Sequence, residues 1–277
     1  MKILVTGGSG FIGKTFVKTY RKTFDIVSPT QEEMDLTDAR SIAKVFASHK
    51  FDAVVHLAGV PIIGNKSLEA DNLIMFKNIQ YMSIANGVKK LIVLGEGVDM
   101  DASRPIEDIT ENMLGKHVPE DGYGLGKYLI SLLASKDNIT TVLRLFQVYG
   151  VGGNKYPINK IVSAGSRGKK QIVIDRDKTV SAISVDDAVK AIAAFILRDY
   201  AKGDYNLVAS DKMSYVEIAK TVKRLVRKDG GDIEIVVKDP TPDLEYSASS
   251  AKLLATVPMT ITSMQSGIKK LYEQLKK

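Results

Sequence analysis

"VTGGSGFIG", residues 5 to 13, is the stretch on which the fold turns. It follows the apolar run "KILVT" (2 to 6) and opens an amphipathic stretch, 10 to 22, whose apolar positions recur at helical spacing. Gly7, Gly10 and Gly13 stand in a G-x-x-G-x-x-G pattern. A glycine at the strand end permits a tight turn, the second lets a pyrophosphate approach the backbone, and the third lets helix and sheet pack closely. The helix N-terminus at Phe11 and Ile12 then presents unpaired N–H groups and a positive dipole to phosphates. Glycines alone are a weak signal, but at the first strand-to-helix turn of an alternating chain they are a strong one.

That alternation continues outward. Short apolar runs at 24 to 28, "DAVVHLA" (52 to 58), "KLIVLG" (90 to 95) and "TTVLRLF" (140 to 146) are separated by helical stretches at 38 to 48, 67 to 86 and 122 to 136. Strands apolar on both faces, with helices between them, predict a parallel sheet covered on both sides. The expected fold is a Rossmann-type, doubly wound α/β domain over residues 1 to 150. Beyond Gly150 the rhythm loosens: "QIVI" (171 to 174) and "IEIVV" (233 to 237) read as strands, and 185 to 199, 214 to 228 and 262 to 276 as helices. The polar stretch "KDPTPDLEYSASS" (238 to 250) reads as a surface loop. Residues 151 to 277 are expected to form a smaller α/β substrate lobe that partly returns to the main sheet.

Composition narrows the chemistry. Hydrophobic content of 44% and charged content of 26% suit a globular domain. The absence of cysteine excludes disulfides, thiolate metal sites and a thiol nucleophile. His49, His56 and His117 lack metal-ligand spacing, so no metal site is expected. The chain starts directly on a strand-like segment and holds no run of 18 apolar residues, which gives a cytoplasmic expectation with no membrane partner. A net charge of +7 without dense basic blocks or interleaved aromatics points to a phosphorylated small molecule rather than nucleic acid.

The chemistry-bearing pair is "YGLGK" (123 to 127), which sets Tyr123 and Lys127 one helical turn apart on one face. A free phenol titrates near pH 10 and is a poor base at neutral pH. Unit charges about 4 Å apart at an effective dielectric of about 20 interact by about 4 kcal/mol, enough to lower a phenol by about 3 pH units. The expectation is therefore a tyrosine made acidic by a fixed ammonium.

Together, "TGGSGFIG", "DLTD" (35 to 38), "HLAG" (56 to 59), "YGLGK", "LRLFQVYG" (143 to 150), "ISVDDAV" (183 to 189) and "SGIKKLYE" (266 to 273) cover nearly the whole chain. In their order they resemble the extended short-chain dehydrogenase/reductase family of nucleotide-sugar epimerases, dehydratases and 4-keto-sugar reductases. The resemblance implies that Tyr123 is the general acid/base and that Lys127 is its electrostatic partner and a ligand of the nicotinamide ribose. It places Asp35 and the Leu36 backbone at the adenine edge, with Asp38 left to cap a helix. Leu57, Ala58 and Gly59 would line the nicotinamide ribose, with Asn72 a structural helix residue nearby. Relatives end the second strand with an acid when they select NAD(H); here "VSPT" (27 to 30) stands instead. Ser28 and Thr30 are candidate donors to a 2′-phosphate, and NADP(H) is preferred over NAD(H). Homodimerisation would use helices 67 to 86 and 122 to 136, where Ile74, Tyr81 and Leu132 serve either core or dimer.

Three departures matter. Where the family carries a serine or threonine, the fourth strand ends "VLGEGVDM" (93 to 100), aligning Glu96 or Gly97 with the hydroxyl that donates to the reacting oxygen. An ionised glutamate only accepts hydrogen bonds and raises a nearby phenol. Glu96 is then a protonated donor, a defect in the hydride chemistry, or a residue facing solvent. The usual diphosphate-binding arginine falls on Val180, leaving Lys160 and Arg167 as the best substitutes within Lys155, Lys160, Arg167, Lys169 and Lys170. Gln147 replaces the usual asparagine. The expected function is reduction of a nucleotide-linked 4-keto-sugar, because "PTQEEMDLTD" (29 to 38) resembles the GDP-fucose synthase type. An epimerase or dehydratase is the nearest alternative, and a dinucleotide-binding sensor or scaffold is the rival from another class.

Overall fold

Strand β1 (Lys2–Thr6) lies inside a parallel sheet with β2 (Asp25–Val27), β3 (Ala53–His56), β4 (Lys90–Glu96), β6 (Thr140–Leu145) and β10 (Gly203–Asn206), in the order β10-β6-β4-β3-β1-β2. This computed structural model describes residues 1–60, 69–241 and 245–276. Alternate residues of β1 enter different cores, as a strand's period of two requires. Ile3 and Val5 pack with Phe16 of α1 (Phe11–Tyr20) and with Val189 and Ile192 of α6 (Val185–Leu197). Leu4 packs on the other face, against Phe46 of α2 (Ala39–Ser48), Phe76 of α3 (Glu69–Ala85) and Ile130 of α4 (Gly122–Ala134). The apolar-on-both-sides reading of the strands is thus a doubly wound α/β sheet.

The second lobe is a mixed sheet of β11 (Lys212–Ser214), β9 (Thr179–Ser184), β13 (Tyr246–Ala248) and β5 (Ile106–Ile109), with β7 (Gln147–Tyr149) on β9. A separate pair joins β8 (Gln171–Arg176) to β12 (Glu234–Asp239). Helices α5 (Pro157–Ser166), α7 (Tyr215–Lys228) and α9 (Met264–Lys276) enclose their own core around Ile158, Val162, Val222 and Ile268. A short α8 (Ala251–Thr256) packs beside β10. The chain crosses Gly150 in both directions, since β5 joins the second lobe while β10 and α6 belong with the first sheet.

Several expectations change at this level. Residues 238 to 250 contain the end of β12 and all of β13, because Ser247 and Ala248 are buried against the mixed sheet rather than exposed in a loop. Of that stretch Pro242, Asp243 and Leu244 lie outside the described residues, as do Ser67 and Leu68 of the expected helix 67 to 86. Helix α5 escaped the periodicity reading; Pro157 opens it, and buried Asn159 accepts from Gly150 N at 3.1 Å and donates to Gly150 O at 2.6 Å. Ile74 and Tyr81 are exposed on α3, whereas Leu132 is half-buried.

Candidate active site

The strand order reverses direction between β1 and β3, the place where open α/β sheets bind ligands. The loop after β1 meets the loop after β3 there. Gly7 has φ +69°, and a Cβ on it would sit 2.5 Å from Ala58 N, so only glycine fits. A Cβ on Gly13 would sit 2.1 Å from Gly7 O. Gly10 is different, because a Cβ there would meet only Gly7 O at 3.2 Å and otherwise project into open space. Helix α1 starts beyond Gly10 with no side-chain cap and no acid in its first turn, which leaves its N–H groups to an anion. These features fit the pyrophosphate of a dinucleotide. Gly10→Val should weaken cofactor affinity at least about 100-fold by filling that space, with the melting temperature little changed; retained affinity in a fluorescence titration would refute the loop assignment.

Two cavities meet at this loop. One, about 1250 Å³, is lined by Gly7, Gly10, Phe11 and Gly13 and runs between α1 and the 150 to 156 loop. The other, about 570 Å³, holds Glu96, Tyr123 and Lys127. Ile12, Leu57, Gly59 and Tyr156 belong to both walls, so the two form one continuous groove.

Helix α4 is set against the 3-10 turn Gly97–Met100 that follows β4. Asp121 caps it, accepting from Gly124 N at 2.8 Å. A Cβ at Gly124 would lie 3.1 Å from Val98 O, so this glycine lets the helix close on the turn. The result brings Tyr123 to Glu96: the phenol donates to Glu96 Oε1 at 2.6 Å. Lys127 Nζ lies 3.3 Å from the same oxygen and 5.7 Å from the Tyr123 ring centre. Of the two residues aligned with the missing hydroxyl, Glu96 therefore faces the phenol. A Cβ on Gly97 would press on Phe146 and on the Tyr246 hydroxyl at 2.6 Å.

The electrostatics reverse the expected sign. Burial, followed by the charge and hydrogen bond of Glu96, pushes the Tyr123 phenol far above its ordinary value. The ammonium expected to lower it is instead paired with the carboxylate. Glu96 does not simply face solvent, since its side chain is 37% exposed while one oxygen takes both partners.

The remaining sequence candidates separate. Asn72 accepts from Val60 N at 2.8 Å and donates to Val60 O at 3.1 Å, tying α3 to the loop of Leu57, Ala58 and Gly59 at the cavity wall. Asp38 caps α2 by accepting from Arg40 N. Asp35 is exposed, and hydrogen bonds from Thr37 lower its pKa; buried Leu36 gives its carbonyl to Asn78 Nδ2. The Ser28 hydroxyl donates to Val5 O at 3.0 Å, which pins β2 to β1 and spends its proton. Thr30 accepts from Glu33 N through its hydroxyl oxygen, leaving the hydroxyl proton to donate elsewhere. Lys160 and Arg167 are exposed at α5 and outside the walls of both cavities.

Sequence reading missed the other wall. Lys178, Tyr156, Tyr215 and Tyr246 line the smaller cavity with Phe146 and Gln147. Lys178 Nζ lies 5.5 Å from the Tyr246 ring centre. Val180 is fully buried, so the cation in this part of the cavity comes from two residues earlier in the chain. The only sequence signal was a lysine just ahead of an unassigned strand.

His56 also lines the cavity, with Nδ1 2.8 Å from Thr6 Oγ1. Burial first, and the Lys127 charge second, hold its pKa down at about 3. A depressed base stabilises the fold fully above its unfolded value near pH 6.5 and loses that contribution as pH falls toward about 3, because the unfolded chain then binds the extra proton. Stability should fall by about 2 kcal/mol between about pH 6.5 and about pH 5. Denaturant titrations should show a flatter profile in His56→Asn; identical slopes would rule the residue out as the cause.

The chain is similar in sequence and in fold to known proteins. The model of the NAD dependent epimerase/dehydratase family matches residues 3–207. A GDP-6-deoxy-D-talose 4-dehydrogenase from Aggregatibacter actinomycetemcomitans is 32% identical over 211 residues, covering 71% of this chain and 70% of that protein. A GDP-L-fucose synthase from Azorhizobium caulinodans is 26% identical over 255 residues, covering 83% and 82%. In fold, the chain matches a GDP-mannoheptose C4 reductase from Campylobacter jejuni with NADP bound, at a TM-score of 0.82, 23% identity and coverage of 100% and 98%.

Proposed function

Because the chain belongs to the NAD dependent epimerase/dehydratase family, we propose that it is an NADP(H)-dependent reductase of a nucleotide-linked 4-keto-sugar. The observation that carries this reading is the Tyr123 hydroxyl and Lys127 ammonium inside a cavity continuous with the glycine-loop cleft. When bound, the dihydronicotinamide supplies hydride to the ketone carbon. The Tyr123 hydroxyl donates the proton to the ketone oxygen, within hydrogen-bond reach of a substrate seated in the cavity. In this reading Leu57, Ala58 and Gly59 wall the nicotinamide end, and Asp35 and the Leu36 backbone, which stand outside the walls of both cavities, are assigned to the adenine edge. Lys178 is positioned for the diphosphate of the substrate and Tyr156, Tyr215 and Tyr246 for its nucleoside.

The relatives named for guanosine-diphosphate sugars support the choice of substrate class. Lack of an acid at the end of β2, together with the Thr30 hydroxyl proton, supports NADP(H). The test is NADPH and NADH consumption with a panel of 4-keto-sugar nucleotides. Turnover faster with NADPH supports the reading, and cofactor binding without hydride transfer to any member removes it. That second outcome is the sensor reading, and the raised Tyr123 pKa is the observation that favours it.

A further inference from the structure

One oxygen, Glu96 Oε1, receives the Tyr123 hydroxyl at 2.6 Å and faces the Lys127 ammonium at 3.3 Å. Tyr123 is 8% exposed, whereas the Glu96 side chain is 37% exposed. The phenol is thus the inner member of a chain whose outer member reaches solvent. Resting on the reductase reading, we propose that Glu96 is the proton reservoir of the site, recharging Tyr123 from solvent in the same step in which Tyr123 protonates the ketone.

The step balances. A C–H bond forms at the ketone carbon with hydride from the dihydronicotinamide, so the ketone is reduced and the nicotinamide oxidised. The Tyr123 O–H bond breaks as the substrate O–H forms, and the Glu96 Oε1–H bond breaks as the Tyr123 O–H re-forms. The site ends with a Glu96 carboxylate that accepts from Tyr123 and pairs with Lys127, which is the arrangement observed. One proton taken from bulk solvent then restores the Glu96 carboxyl, so each turnover consumes one solvent proton. No phenolate arises at any stage, in keeping with a buried phenol whose charged form is disfavoured. Run backward, the ionised carboxylate takes the proton of an alcohol through Tyr123. The acceptor that looks like a defect in a family using a hydroxyl donor thus becomes the group that hands on the proton during turnover.

Other groups face this pair. Tyr156 at the start of α5 and Tyr246 on β13 both feel the Glu96 charge, and both are themselves held protonated by burial. His56 lies across from Lys127, and Lys178 sits on the far wall. Burial already keeps His56 neutral well below neutral pH.

Glu96→Gln keeps an acceptor for the Tyr123 hydroxyl but has no acidic proton to give, and Glu96→Asp keeps the carboxyl. The experiment has two readouts on these variants and the wild type. The first is the pH profile of kcat and KM for NADPH-driven reduction of GDP-4-keto-6-deoxymannose. The second is an ultraviolet difference titration of the phenol, with Tyr123→Phe subtracted. In Glu96→Gln, kcat should fall by about 100-fold or more with KM nearly unchanged. The ionisation of the reservoir should vanish from the profile and return in Glu96→Asp. The phenol should titrate at lower pH in Glu96→Gln, because the carboxylate charge that adds to the effect of burial is gone.

A Glu96→Gln enzyme that keeps wild-type kcat and pH profile overturns the proposal, and so does an unmoved phenol titration. A wild type inert toward the keto-sugar, whose phenol still shifts in Glu96→Gln, removes the reductase reading and supports the Glu96–Tyr123 coupling.

Discussion

Tyr123→Phe is expected to lower turnover on a keto-sugar by about 10²- to 10⁴-fold while leaving cofactor affinity within about threefold. The substitution removes one oxygen and keeps the ring of a residue that is 8% exposed and lines the cavity beside Lys127. The glycine loop, the β3 loop and Lys127 remain to bind a dinucleotide. What disappears is the only hydroxyl bonded to Glu96 among the described residues. The loss should fall on kcat, because the phenol acts on charge developing at the ketone oxygen rather than on ground-state binding. Single-turnover hydride transfer alongside an NADPH fluorescence titration separates the two quantities. Wild-type turnover in the variant would sink the acid/base role, whereas equal losses of turnover and cofactor binding would assign Tyr123 to the cofactor pocket.

How far this site could be read from sequence depends on the range of the interaction concerned. The glycine loop is local: Gly7, Gly10 and Gly13 act within one strand-to-helix turn, and their roles follow from spacing. Strands β1, β3 and β6 bury both faces, and their unbroken apolar runs announce it. Tyr123 and Lys127 share a helix face for the same local reason. The sign of the phenol's pKa shift is not local. It depends first on burial and then on a carboxylate 27 residues away, which reaches the same place because α4 closes on the turn after β4.

The cavity wall formed by Lys178, Tyr215 and Tyr246 is less legible still. Lys178 stands just ahead of β9, Tyr215 is the first residue of α7 and Tyr246 the first of the three-residue β13, so each lies at the edge of its element, where periodicity does not say which way a side chain faces. Lys160 lies on α5 and Arg167 just past its end, and α5 turns its apolar side to Val222 and Ile268 and leaves both cations in solvent.

Asp99→Ala is expected to cost about 3–5 kcal/mol of folding stability, which corresponds to a melting temperature lower by about 6–20 °C. Arg144 is fully buried on β6, and its Nε donates to both Asp99 oxygens at 2.8 and 2.9 Å. A second donor, Nη1, reaches Asp204 at 2.9 Å and Asn206 at 3.2 Å on β10, while the buried Nη2 has no hydrogen-bond partner among the described residues. Ser131 of α4 donates to Asp99 Oδ2 at 2.7 Å. Removing the carboxylate leaves a guanidinium in the core with only the partly exposed Asp204 as counter-charge.

The double variant Asp99→Leu/Arg144→Met removes both charges and should recover much of the stability, since the penalty is for a buried charge left without its partner rather than for absence of the pair. Activity should not recover with it. Asp99 lies three residues beyond Glu96, and Ser131 lies one helical turn beyond Lys127, so this carboxylate ties the end of β4 to α4 where Glu96 meets Tyr123. A folded double variant should therefore show reduced kcat with near-normal cofactor binding. Urea titrations and steady-state kinetics on the pair decide the matter: a single-variant cost below about 1 kcal/mol would show that solvent or neighbouring groups already satisfy Arg144, and full activity in the double variant would confine the pair to stability.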